Sequence, residues 1–170
     1  MCGRFSVTKS TLNDLRGLFP DPVTLKDDWN VAPSRPVSLV RDWDGERTVT
    51  DAKWGFVATW AKDFQKSRPQ PINAKIENLT SSSMWRGPFA RHRGIIVADG
   101  YYEWTITEHG KQPHFIHVPG TSLAMAAVIG AWPDPTKADD DPDKWRLSTA
   151  IITRDSHVAP GEVMTGCRRA

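Results

Sequence analysis

The most distinctive chemistry in this 170-residue chain belongs to Cys2. Methionine at position 1 is removed when the following residue is small, and cysteine qualifies. Cys2 then carries a free α-amine and a thiol on adjacent carbons. Their reference pKa values, about 8 and about 8.5, leave both partly nucleophilic near neutral pH. Such a 1,2-aminothiol captures an aldehyde in two steps. The amine forms an imine, and the thiol then closes on the imine carbon to give a thiazolidine ring. Neither an internal cysteine nor an N-terminal serine makes that stable ring. Two other readings fit position alone: a small buried residue, or a nucleophile that uses its own α-amine as general base to cleave amides.

The surroundings suit a polyanion better than a small amide. Arg4 stands two residues from Cys2, and Arg86, Arg91 and Arg93 cluster around Trp85. Eight tryptophans are present, of which Trp54, Trp60, Trp85 and Trp104 neighbour charged or small polar residues. Aromatics interleaved with cations stack bases and track phosphates, although most tryptophans in any domain serve the core. The net charge of +2 is too small for a protein that coats DNA indiscriminately. Cys2 and Cys167, at opposite ends, give neither a disulfide framework nor metal-ligand spacing, and nothing calls for a cofactor. The N-terminus lacks the apolar stretch of a signal peptide, and no long apolar run predicts a membrane span, so a cytoplasmic protein is expected.

The elements that must hold these residues read as mostly strands. Val37–Arg41, Arg47–Ala58, Gly94–Ala98 with Tyr101–Thr105, His114–Val118, Leu123–Ala131 and Leu147–Thr153 alternate or are β-branched between Gly, Pro and Asp breaks. One helix is predicted over Ser10–Phe19, where Leu12, Leu15 and Leu18 share a face and Pro20 ends the run, and a second over about Ser82–His92. Asp134–Asp143 is acidic and aperiodic, a solvated hairpin loop. The expected class is α+β and β-rich: a curved, mostly antiparallel sheet or partly open barrel with a few short helices.

Four stretches, taken together, resemble the SOS-response-associated peptidase family, the abasic-site-crosslinking proteins. They are Met1-Cys-Gly-Arg-Phe5; Trp29-Asn-Val-Ala-Pro33; Trp54-Gly-Phe-Val-Ala-Thr-Trp-Ala-Lys62 leading to Ile72-Asn-Ala-Lys-Ile-Glu77; and Ala98-Asp-Gly-Tyr-Tyr-Glu-Trp104. The resemblance implies a β-rich domain whose basic groove leads single-stranded DNA to the N-terminal cysteine. Residue by residue, it implies Cys2 as nucleophile, Asn73 as the amide that orients the sugar, and Glu103 as the carboxyl that moves a proton to open it. It also implies that Arg4 and Lys75 grip phosphate, that Asn30 and Pro33 line the groove with Arg86, and that Trp60 or Trp85 stacks on a base. Lys75 departs from the arginine usual there and forfeits its bidentate fork. The implied partner is single-stranded DNA with abasic sites, met by a monomer in contact with the replication machinery. The implied activity combines self-removal of Met1 with a lyase- and peptidase-like thiazolidine chemistry. An amidohydrolase, or a domain that only binds single-stranded DNA, is the alternative.

The pattern breaks after Val163. The family continues His-Asp-Arg-Met-Pro, whereas this chain reads Met-Thr-Gly-Cys-Arg-Arg-Ala. The codons CAT GAC CGG ATG CCG, stripped of their first base, become ATG ACC GGA TGC CG, which encodes Met-Thr-Gly-Cys-Arg. Residues 164–170 therefore read as an out-of-frame tail following a single domain over 1–163. On that reading the family's histidine is lost, His157 is a loop residue, and Cys167 is an accident of frame.

Overall fold

The computed structural model describes residues 3–9, 11, 17 and 25–154. Cys2, the helix expected over Ser10–Phe19 (Thr11 and Gly17 apart) and residues 155–170 lie outside the described residues.

β-branched and aliphatic residues drive the described chain into ten strands: β1 Arg4–Val7, β2 Asp28–Val31, β3 Pro36–Trp43, β4 Glu46–Trp54, β5 Asn73–Lys75, β6 Arg93–Ala98, β7 Gly100–Thr107, β8 Gly110–His117, β9 Leu123–Pro133 and β10 Trp145–Thr153. A short helix, α1, covers Arg86–Arg91. The strands form two sheets. One has the order β2-β1-β7-β8. The other has the order β4-β3-β6-β9-β10-β5, and a further pairing of β4 with β10 closes five of its strands into a barrel. β10 makes that closure by lying parallel to β4 at Ser148 and Thr149 and then parallel to β5 from Ile151 to Thr153. The β-rich architecture expected from the sequence is the one found.

The barrel is filled by Leu39, Trp54, Ile96, Ala98, Ala127 and Ile129, with Phe5 and Val31 reaching in from the smaller sheet. Trp54 is fully buried; its indole N–H donates to the Ile72 carbonyl at 2.9 Å, and its ring lies 5.2 Å from that of Phe5. Each such side chain, taken out of water, contributes about 1.5–3 kcal/mol. Gly130 lets a second segment approach the barrel wall. A Cβ there would stand 2.6 Å from the Val57 carbonyl oxygen and 2.8 Å from Ser148 Oγ, the hydroxyl that accepts the Val57 N–H at 2.8 Å.

Several boundaries differ from those expected. β4 stops at Trp54 rather than Ala58, because Gly55 turns the backbone to φ 140°: its N–H still reaches Thr149 of β10, but the Phe56 N–H turns away to the Pro71 carbonyl. The helix expected over Ser82–His92 shortens to Arg86–Arg91, its approach taken up by turns in which the Ser82 carbonyl accepts from both Trp85 and Arg86. The acidic hairpin loop lies where predicted, between β9 and β10, held by Lys137–Asp141 at 3.2 Å and Lys144–Asp139 at 3.0 Å.

Candidate functional site

β1 and β7 are the two strands that carry the opening and closing motifs, and they pair. Arg4 stands opposite Tyr102, Phe5 opposite Tyr101, and Ser6 opposite Gly100. Alternation along β1 buries Phe5 in the core and turns Arg4 outward with Tyr102. Gly3, one residue beyond the last pair, lies against Trp104, whose Cζ3 would be 3.9 Å from an added Cβ. The N-terminal side of β1 therefore leads toward Glu103 and Trp104.

Gly100 makes this pairing possible. A Cβ at that position would lie 2.6 Å from Phe115 Cζ and 2.7 Å from the Ile116 carbonyl oxygen, so only glycine lets β7 start between β1 and β8. Just before it, Asp99 gathers hydroxyls from the N-terminal segment. Ser6 Oγ donates to its Oδ2 at 3.1 Å, Thr8 Oγ1 donates to its Oδ1 at 3.1 Å, and Thr11 Oγ1 donates to the same oxygen. Ser6, Thr8 and Thr11 are all buried.

Around this junction the expected contact residues take definite places. Arg4 Nη1 donates to Asn30 Oδ1 at 3.0 Å, which joins two of them directly. Tyr102 donates its phenolic proton to the Trp29 carbonyl at 3.2 Å, tying β7 to β2. Trp29 is 68% exposed, and Tyr102, Trp104 and Phe115 continue an aromatic row with ring separations of 5.0 and 6.4 Å. Pro33 is half-buried in a turn that is pinned to the core, with Ser34 N–H donating to the Trp54 carbonyl at 2.7 Å. Glu103 is half-buried on the other face of β7 from Tyr102, directly across the β7–β8 ladder from His114. The His114 Nε2 is 2.8 Å from Thr105 Oγ1.

Asn73 and Lys75 bracket Ala74 on β5 and share a face of it, Asn73 half-buried and Lys75 exposed. Ala74 points the opposite way into a core cluster with Phe56, Leu79 and Trp85. That cluster corrects one expectation. Trp85 is 8% exposed and lies 4.7 Å from the Phe56 ring, so it supports β5 from beneath and has no open face for a base. Trp60, by contrast, is 68% exposed, on a loop anchored where Trp132 Nε1–H donates to the Ala61 carbonyl at 2.7 Å. Arg86 is exposed at the first position of α1.

Sequence reasoning missed Asp99 and His114. Asp99 sits inside a quoted motif, but its partners Ser6, Thr8 and Thr11 are 88 to 93 residues away, beyond any local pattern. His114 was findable: counting back from the Gly110 turn sets the register that places it opposite Glu103.

A β-rich barrel whose N-terminal strand pairs with a Tyr-Tyr-Glu-Trp strand defines the class. The family model for SOS response associated peptidase (SRAP) matches residues 1–163, and this chain belongs to that family. It is 32% identical over 162 residues to the abasic site processing protein YedK of Escherichia coli, covering 88% of this chain and 68% of that protein. It is 30% identical over 177 residues to the abasic site processing protein HMCES of Gallus gallus, covering 88% of this chain but only 50% of the chicken protein. Among solved structures, a phage-related protein of Bordetella bronchiseptica superposes with a TM-score of 0.67 at 26% identity over 90% of this chain and 69% of that one. A protein of Bacteroides thetaiotaomicron shares the fold, with a TM-score of 0.73 at 21% identity, covering 91% of this chain and 68% of that one. No described helix is long and apolar enough to cross a membrane.

Proposed function

We propose that this protein binds single-stranded DNA and joins itself covalently to abasic sites through Cys2. The reading is supported most by one relationship: the strand that follows Cys2 pairs with the strand that carries Glu103. Membership of a family whose relatives are named abasic site processing proteins supplies the substrate class.

The chemistry follows from the groups. Removal of Met1 exposes the Cys2 α-amine. The abasic sugar is mostly a closed hemiacetal; Glu103 transfers a proton that opens it to the aldehyde, with the Asn73 amide holding its oxygen by donating and accepting at once. The α-amine adds to the aldehyde carbon, and loss of water gives the imine. The thiol sulfur then bonds to that carbon, its proton passing to nitrogen, and the thiazolidine closes. Arg4, Asn30, Pro33, Lys75 and Arg86 line the path of the strand, with Trp60 as the stacking ring.

The test is a denaturing gel of the full chain incubated with single-stranded DNA bearing one abasic site. A slow-migrating adduct that resists heat and detergent is expected. It is lost in Cys2→Ala and with undamaged DNA. An adduct that survives Cys2→Ala, or forms equally on undamaged DNA, overturns the reading.

A further inference from the structure

A second concentration of cations lies at the end of β6 remote from Asp99. β6 runs Arg93–Ala98, so at about 3.3 Å per residue its two ends are roughly 17 Å apart. At the remote end, α1 finishes at Arg91 with His92 as its cap, and the neighbouring strand β3 presents Arg41 and Trp43 on one face. The Arg41 guanidinium lies 4.7 Å from the centre of the Trp43 ring, and the His92 ring lies 6.1 Å from it. Arg93 leans over Phe89 at 5.8 Å on the other face of the sheet, beside Val128.

Among the described residues no carboxylate forms an ion pair with Arg41, Arg91 or Arg93. Asp42 is taken by Arg47 at 2.8 Å on the opposite face of β3, and Glu46, across from Trp43, is exposed. Arg41 is half-buried, and its Nε is shielded from solvent without a hydrogen-bond partner. Burial, then the charges of Arg41 and Arg91, hold His92 below the usual histidine range. The α1 C-terminus favours Arg91 by its dipole, but gives no reason for Arg41 to join it.

Arg41 and Arg91, set about His92 with no ion-paired acid among the described residues, suit an anion, and phosphate matches their planar forks. The tryptophan narrows the class. Trp43 is 52% exposed, and a base can extend the Arg41–Trp43–His92 stack, whereas an acidic peptide would use the cations and leave that ring unfilled. We infer that Arg41, Trp43, Arg91 and His92 form a second contact for single-stranded DNA, holding phosphate and stacking a base away from the β1–β7 junction. The polymer's identity rests on the function proposed above; the site rests on Arg41 and its neighbours.

The test uses the full chain and fluorescence anisotropy with an undamaged oligothymidylate of roughly 25 nucleotides, alongside adduct formation on an abasic oligonucleotide of roughly 5. Trp43→Ala and Arg91→Ala alter exposed side chains, and circular dichroism checks their folding. Both should weaken long-strand affinity by roughly 5- to 20-fold. Arg91→Ala should also lower the log–log salt slope by about 1. Adduct yield on the short strand should match the parent protein. Unchanged affinity and salt slope in both variants overturn the inference. So does polyglutamate competing with the long strand equally well in the parent and in Trp43→Ala. If the short abasic strand gives no adduct even with the parent protein while long-strand binding still falls in the variants, the crosslinking reading fails and this site stands.

Discussion

Ser6 and Asp99 are joined twice: Ser6 Oγ donates to Asp99 Oδ2 at 3.1 Å, and the Asp99 N–H donates to the Ser6 carbonyl at 2.8 Å. With Thr8 and Thr11 on the other carboxylate oxygen, Asp99 satisfies three buried hydroxyls at once. Asp99→Ala strips all of them of their acceptor. Each orphaned buried group costs about 1–3 kcal/mol before relaxation, so a net loss of about 2–4 kcal/mol is expected. Asp99→Asn, which keeps one carbonyl acceptor, should lose less. Urea unfolding measures both, and a loss below about 0.5 kcal/mol for Asp99→Ala would remove the carboxylate from this role.

Substitution of Glu103 should separate binding from reaction. Glu103→Gln preserves size and hydrogen bonding but cannot transfer a proton. The single-turnover rate of adduct formation should fall roughly 100-fold or more, while single-stranded-DNA affinity stays within about twofold. Equal rates in the two proteins would assign the proton transfer elsewhere, with His114, across the ladder, the next group to substitute.

His92 gives the fold a pH dependence of defined sign. Burial, Arg41 and Arg91 lower its pKa in the native state, so the unfolded chain binds the proton more tightly. Its contribution is therefore present above the unfolded value of about 6.5 and is lost as pH falls through the interval below it. Asp63 and Asp134, whose pKa values are lowered chiefly by hydrogen bonds, act in the same direction but at carboxylate pH. Melting temperature, recorded from about pH 7.5 to about pH 5 so as to span the histidine step, should decline less in His92→Gln than in the parent. An identical decline would place the titrating group elsewhere.

The fold was legible wherever long strands alternate. β3, β6, β9 and β10 are β-branched runs between breaks, and the acidic loop before β10 has no periodicity to mistake. β1, β2 and β5 were missed because each has only three or four residues, and pairing rather than propensity makes Asn73–Lys75 a strand: Ile151, Ile152 and Thr153 of β10 supply its partners. The site's motifs were visible, but their supports were not. Trp85 looks, in sequence, like one more aromatic among arginines; only the cluster with Phe56 and Ala74 assigns it to the interior. Asp99 looks like a turn residue until three distant hydroxyls converge on it.

The closure of the barrel also carries an order of events. β4 finds its parallel partner in β10, at Ser148 and Thr149, and β1 finds β7 only after Asp99, 93 residues beyond Ser6, has been made. Contacts of such sequence separation form late, since a long loop must close before they reward it. During synthesis the leading strand therefore waits, unpaired with β7, until more than half of the chain has followed it. In that interval β1 has no Tyr-Tyr-Glu-Trp strand beside it, so Arg4 meets Tyr102 only once β7 has been made.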